Sequence, residues 1–223
     1  MLIPSIDLMG GKIVQLVQGE KKALEFDDFE YWIERFSSYP LVQLIDLDAA
    51  MGRGDNRELT AMMCKRLPCQ AGGGIRDIAR ASELLALGAK RVIFGSALLK
   101  EGAINTPLAA QAAEALGAQH LTFAIDSRRG KVAIQGWKET TSVDPNDMVR
   151  ALDEYCSAFL YTHIDTEGTM TGFPMKVAQE LAALTQKKMI VAGGVRSRAE
   201  VDELEAMGVD AVVGMAIYTG AMQ

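Results

Sequence analysis

Residues 71–97, AGGGIRDIARASELLALGAKRVIFGSA, return in the same order at residues 191–216, VAGGVRSRAEVDELEAMGVDAVVGMA. Gly73, Gly74 and Arg76 recur as Gly193, Gly194 and Arg196. Gly88 recurs as Gly208, and Gly95 as Gly214 with one residue deleted. Each copy reads as a strand end, a glycine loop, a helix stopped by glycine, and a short strand closing on glycine. Glycine lets the backbone approach a ligand and present its N–H groups, and a helix N-terminus adds a field that favours an anion. Two copies predict two phosphate sites. The competing expectation is that these glycines only make tight strand-to-helix turns.

The rest of the chain keeps the same rhythm. Apolar runs at 2–6, 41–47, 69–71, 91–94, 120–125, 159–164, 189–192 and 211–213 read as eight strands. Helical spacing at 27–38, 56–67, 77–87, 106–116, 145–156, 174–184 and 198–207 places a helix after each of the first seven. A flanking strand at 12–17, after a Gly10-Gly11 turn, and a small hairpin around 132–135 complete the reading. Alternating strands and helices imply parallel βαβ units, and strands that are apolar throughout imply burial on both faces. Polar residues and glycines come after nearly every strand instead of gathering at one switch point. That favours a (β/α)8 TIM barrel over an open doubly wound sheet. The length of 223 residues suits one such domain. Its halves, approximately 1–118 and 119–223, are expected to be a duplicated half-barrel. Asp7 and Asp126 each end the first strand of a half, and LIDLD at 44–48 resembles YTHID at 161–165.

Beyond residue 213 the chain is too short for a full eighth helix, so that helix is expected to be truncated or absent. The outer face of the last strand is then expected to be an exposed apolar strip. Either self-association or the bulky face of the first helix (Phe29, Trp32, Ile33, Phe36) is expected to cover it.

Composition removes several function classes. Hydrophobic residues make up 49% and charged residues 23%, an ordinary globular balance. No apolar run approaches the roughly 18 residues that a membrane span needs. The N-terminus has no positive region before its apolar residues, unlike a signal peptide. Cys64, Cys69 and Cys156 lack metal-type spacing and read as free thiols of a cytoplasmic protein. With only His120 and His163, no histidine-rich metal site is expected. A net charge of −6 argues against a nucleic-acid partner, so a phosphate has to be held by local donors.

In a barrel of this kind the functional residues lie at the C-terminal strand ends. Asp7 and Asp126 are then on one face, on opposite sides of the mouth. Two carboxylates facing across a pocket suit general acid–base chemistry; either alone also serves as a simple loop cap. A substrate with a phosphate at each end fits across the mouth with its reacting centre between them. Thr162, at the end of the sixth strand, stands where it can orient a carboxylate or the substrate.

Eight segments in order carry a resemblance: IPSIDLMGGKIVQLVQG, LIDLDAAMGRG, GGGIR, VIFGSAL, AIDSRRGKVAIQGWKETT, YTHIDTEGTMTG, AGGVRS and AVVGMAIYTG. Together they resemble the phosphoribosylformimino-aminoimidazole-carboxamide ribotide isomerase family of histidine biosynthesis. The resemblance implies the half-barrel repeat, a substrate with two phosphoribosyl groups, and a cofactor-free Amadori rearrangement of an aminoaldose to an aminoketose. It implies that Asp7 is the general base at C2′ and that Asp126 is the acid that opens the ribose ring, with Thr162 beside them. Gly73, Gly74, Gly95 and Ser96 would hold one phosphate; Gly172, Gly193, Gly194, Gly214 and the Met215 amide would hold the other. Gln15, Asp48, Arg76, Trp137 and Glu167 are further candidates for substrate contact.

Four features depart from that family's pattern. Gln15 stands where Arg is common, His163 and Glu167 where Asp is frequent, Met215 where Lys or Arg is frequent, and the tail lacks its helix. An alternative reading is a bifunctional enzyme that also isomerises phosphoribosylanthranilate. DLDAAMGRGDN and Trp137 resemble that kind, whereas Gln15 lacks the charge expected to meet the second substrate's carboxylate. The related glutaminase-coupled synthase has IPCLDV and VVKGV where this chain reads IPSIDL and VQLVQG. A non-catalytic phosphate-binding barrel is the remaining alternative, and the presence of both Asp7 and Asp126 speaks against it.

Overall fold

In the computed structural model, which describes residues 1–222, eight parallel strands close into a barrel. They are β1 (Leu2–Met9), β2 (Val42–Asp46), β3 (Cys69–Gly72), β4 (Arg91–Phe94), β5 (Leu121–Arg128), β6 (Ala158–His163), β7 (Lys188–Ala192) and β8 (Asp210–Val213). Each pairs with the next, and β8 returns to β1 with Leu2 opposite Ala211. Helices α1 (Phe29–Phe36), α2 (Arg57–Arg66), α3 (Ile78–Ala86), α4 (Thr106–Leu116), α5 (Pro145–Leu152), α6 (Met175–Ala182) and α7 (Arg198–Ala206) come after the first seven strands. A four-residue helix, Met215–Tyr218, comes after β8.

Side chains alternate across a strand, so the strands serve two cores. Ile3, Ile93, Leu160, Ile190 and Val212 fill the barrel interior, while Ile6, Leu44, Phe94, Phe123, Phe159 and Val191 face the helix layer. Helix starts are set by their caps: the carboxylates of Asp28, Asp77 and Asp144 each accept a first-turn amide.

The halves match in detail. After β1 the chain turns at Gly10-Gly11 into an antiparallel strand, Lys12–Val17; after β5 it turns at Arg129-Gly130 into Lys131–Ile134. The Gly10 amide donates to Asp48 Oδ2 at 2.6 Å, and the Arg129 amide to Asp165 Oδ2 at 2.8 Å. One aspartate after the neighbouring strand anchors each hairpin turn.

Three expectations need correction. The apolar pattern carries strand 2 through residue 47, but the strand stops at Asp46, whose carboxylate caps a helical turn, Leu47–Met51. Helix 5 ends at Leu152 and finishes in a 3-10 turn, Asp153–Tyr155. A second ribbon strand, Lys21–Phe26, has no apolar pattern to reveal it, because Lys21, Lys22 and Glu25 put charges along an exposed edge.

The strip expected to be bare after the last strand is covered from within the chain. Ala211, Val212 and Val213 are buried. Tyr218 packs its ring 4.2 Å from Trp32 and 5.3 Å from Phe26, with Phe36 edge-on, and its hydroxyl donates to the Ser5 carbonyl at 3.0 Å. The α1 face therefore does the covering. The exposed surface that motivates self-association is absent among the described residues.

Candidate active site

One large pocket opens at the C-terminal ends of the strands, lined from nearly all of them. Asp7 and Asp126 enter it from β1 and β5, four strands apart around the barrel. Thr162 on β6 is in register with Asp126. Glu167, from the loop after β6, completes a group of three carboxyls.

The electrostatics come from placing acids in a recess. Burial pushes Asp7 up to about 6, opposed by a hydrogen bond from Ser5 Oγ to Asp7 Oδ1 at 3.1 Å. Burial also raises Asp126, against the Trp137 and Thr162 side chains, which favour its ionised form. Glu167 is pushed up to about 8, first by burial and then by the charges of Asp7 and Asp126. At neutral pH Asp7 is mostly ionised and Glu167 mostly protonated, and Asp126 is shifted in the same upward direction as Asp7 by the same cause, burial.

The two glycine loops flank this group. Gly73 and Gly193 have φ of +102° and +106°. A Cβ on Gly73 would run into the Asp46 backbone, and one on Gly193 into the His163 backbone. Both positions thus require glycine for turning and packing, whatever they bind. Gly73, Gly74, Gly95 and Ser96 line one side of the pocket, and Gly193, Gly194, Gly214 and Met215 line the other. Gly172 lies behind the second loop, where its amide donates to the Gly194 carbonyl at 2.9 Å.

The two long helices spend part of their N-terminal donors on their own caps. The first-turn amides of α3 and α7 are already taken by Asp77, at 2.8 Å to Arg80 N, and by Ser197, at 3.3 Å to Glu200 N. The turns that open onto the pocket are the short ones beginning at Ser96 and Met215, whose leading amides have no partner within the turn.

The remaining candidates divide. Gln15 is buried against Gly214, with Nε2 donating to the Val14 carbonyl at 2.9 Å. Arg76 lines the pocket and forms no ion pair among the described residues. Trp137 reaches over from the hairpin after β5 and packs on Gly19 of the other ribbon. Asp48 is not in the pocket: its Oδ2 accepts from Gly10 N and from Asn56 Nδ2 at 2.9 Å. His163 is not in it either. Its Nδ1 lies 2.9 Å from Thr166 Oγ1, and that hydroxyl is also 2.9 Å from the Gly193 carbonyl, so the ring is tied into the second loop. Ser5 and Gln43, on the pocket floor, are missed by the sequence reading. Ser5 is recoverable from parity, since it precedes Asp7 by two residues on one strand. No group of three or more His, Cys, Asp or Glu side chains among the described residues is arranged to hold a metal. No helix among them is long and apolar enough to cross a membrane.

Comparison with known proteins adds to this geometry. The family model described as "Histidine biosynthesis protein" matches residues 1–223. A protein of Methanocaldococcus jannaschii is 32% identical, covering 99% of this chain and 94% of the relative. One of Thermus thermophilus is 35% identical, covering 100% and 96%. One of Methanosarcina barkeri is 36% identical, covering 98% and 93%. All three are named 1-(5-phosphoribosyl)-5-((5-phosphoribosylamino)methylideneamino) imidazole-4-carboxamide isomerase.

Proposed function

The chain belongs to the histidine biosynthesis protein family, and from that premise we propose that it is the aldose–ketose isomerase its relatives are named for. The substrate is the bis-phosphoribosyl imidazole carboxamide, an aminoaldose with a phosphate at each end. The observation that carries the reading is the pair Asp7 and Asp126, on strands four apart, with a glycine loop on either side.

The two roles are those that the family resemblance implies. Asp126 gives a proton to the ribose ring oxygen as the neighbouring nitrogen's lone pair expels it, leaving an open-chain C1′=N⁺ iminium. Asp7 removes the C2′ proton, and the C2′–H electrons form a C1′=C2′ bond while the iminium electrons return to nitrogen. The resulting enolamine takes that proton back at C1′ from Asp7 while its C2′ hydroxyl returns one to Asp126 and becomes the ketone, which gives the aminoketose and restores both carboxyls. No electrons enter or leave. Thr162 holds Asp126 in place, and Glu167, mostly protonated, can donate to a substrate oxygen. Gly73, Gly74, Gly95, Ser96 and Arg76 receive one phosphate. Gly193, Gly194, Gly214 and the Met215 amide, backed by Gly172, receive the other. Gln15 and Trp137 bound the space between them.

Turnover by the purified protein tests this. The bis-phosphorylated aminoaldose is expected to isomerise. Phosphoribosylanthranilate in parallel is expected to be a poor substrate, because Gln15 offers its carboxylate no cation. Absence of turnover with the first compound overturns the reading.

A further inference from the structure

We infer that Ser5 is the positioning residue for Asp7, fixing which of its two oxygens takes the proton. This inference rests on Asp7 being the base. Ser5 is buried on the pocket floor, one inward-facing position below Asp7. Its hydroxyl donates to Asp7 Oδ1, and Oδ2 has no hydrogen bond among the described residues. Oδ1 is therefore held and Oδ2 is left for the substrate. The serine cannot drift, because its own carbonyl accepts the buried Tyr218 hydroxyl and its strand is in register with Gln43.

The other half of the barrel supplies the contrast. Asp126 has Ala124 at the matching position, so no donor comes from below; Thr162 and Trp137 approach it from the sides. The groups that face Asp7 are Asp126 from β5, Glu167 from the loop after β6 and Tyr218 from the final helix. All three are acidic or neutral, so none favours the ionised form of Asp7. The one side chain that stabilises its carboxylate is Ser5. A base held at one oxygen also keeps the near-attack geometry that proton abstraction needs.

The test is Ser5→Ala, which gives the first half the residue that the second half has at 124. A hydrogen bond to an ionised carboxylate lowers its pKa, so removing it is expected to raise the acid limb of kcat/KM by about half to one pH unit. The expected drop in kcat is about three- to tenfold with KM unchanged, since no substrate contact is lost. Ser5→Cys, nearly isosteric with a weaker donor, is expected to fall between. Carbon NMR titration of Asp7 in the ligand-free protein reads the same shift without turnover and holds even if activity falls for another reason. An Asp7 titration and acid limb both unmoved in Ser5→Ala, with Asp7→Asn still inactive, overturn the positioning role and leave the base assignment standing. Near-wild-type turnover by Asp7→Asn overturns both.

Discussion

The two glycine loops share a backbone and differ in charge. In each, the first glycine packs against the backbone at the end of the neighbouring strand, Asp46 in one half and His163 in the other. The arginine two residues beyond the glycine pair, however, has opposite fates. Arg76 lines the pocket with no carboxylate paired to it among the described residues. Arg196 is tied to Glu200, with Nε 2.9 Å from Oε1 and its amide 3.0 Å from Oε2. The position equivalent to Glu200 in the first half is Arg80, which pairs with Glu83 instead. On the proposed reading, one loop then offers an anion a side-chain cation and the other offers amides alone. One residue a helical turn away decides which.

The same comparison runs through the carboxylates. Asp7 has a serine beneath it and Asp126 an alanine. Matching strand positions supply two carboxyls, and on the proposed reading the differences beside them are what would separate a base from an acid.

The largest expected effect breaks the pair itself. Asp7→Asn and Asp126→Asn should each lower kcat by about 10²–10⁴-fold, the usual cost of losing a general base or acid. Circular dichroism is expected to stay native. Either variant with near-wild-type kcat removes that residue from the chemistry.

A smaller effect sharpens the difference between the loops. Arg76→Ala should raise KM about tenfold or more through loss of a charge-assisted contact. Arg196→Ala should leave KM nearly unchanged, because Glu200 already neutralises that side chain. Equal effects of the two on KM, measured in one assay, would remove the asymmetry.

The smallest is a stability effect. Glu167 has its folded pKa raised to about 8 from 4.5. The folded state holds this proton more tightly than the unfolded chain, so stability from it is present at low pH and is lost as pH rises from about 4.5 through 8. Glu167→Gln should therefore raise Tm by a few degrees at pH 8 and by nothing at pH 4. Thermal melts at the two pH values check this. A Tm gain that does not grow with pH would place the strain elsewhere.

How much of this the sequence announces depends on the range of the signal. The strands and most helices are legible because burial on both faces leaves continuous apolar runs and because Asp77, Asn105 and Asp144 cap where caps are expected. The glycine repeat locates both loops. Arg196's capture by Glu200 is legible at i, i+4 spacing, and Arg76 has Arg80 and no acid at the matching position. Asp48 looks like a mouth residue from its strand-end position, but its hydrogen bond to Gly10 crosses 38 residues and leaves no local trace. The cover over β8 is half legible: the bulky face of α1 marks Trp32, whereas its partner Tyr218, near the other end of the chain, packs on it through a contact that no local pattern records. The clustering of Glu167 with Asp7 and Asp126 likewise depends on barrel closure.

The central claim is that each half contributes one carboxylate and one anion loop to a shared pocket. A crystal structure of the protein grown in sulfate or phosphate tests it most directly. The account predicts two anions, one at Gly95-Ser96 within reach of Arg76, the other at Gly194 and Gly214 on backbone amides, with the first fully occupied at the lower concentration. Anions found only away from these loops, or at one loop at every concentration, would contradict it.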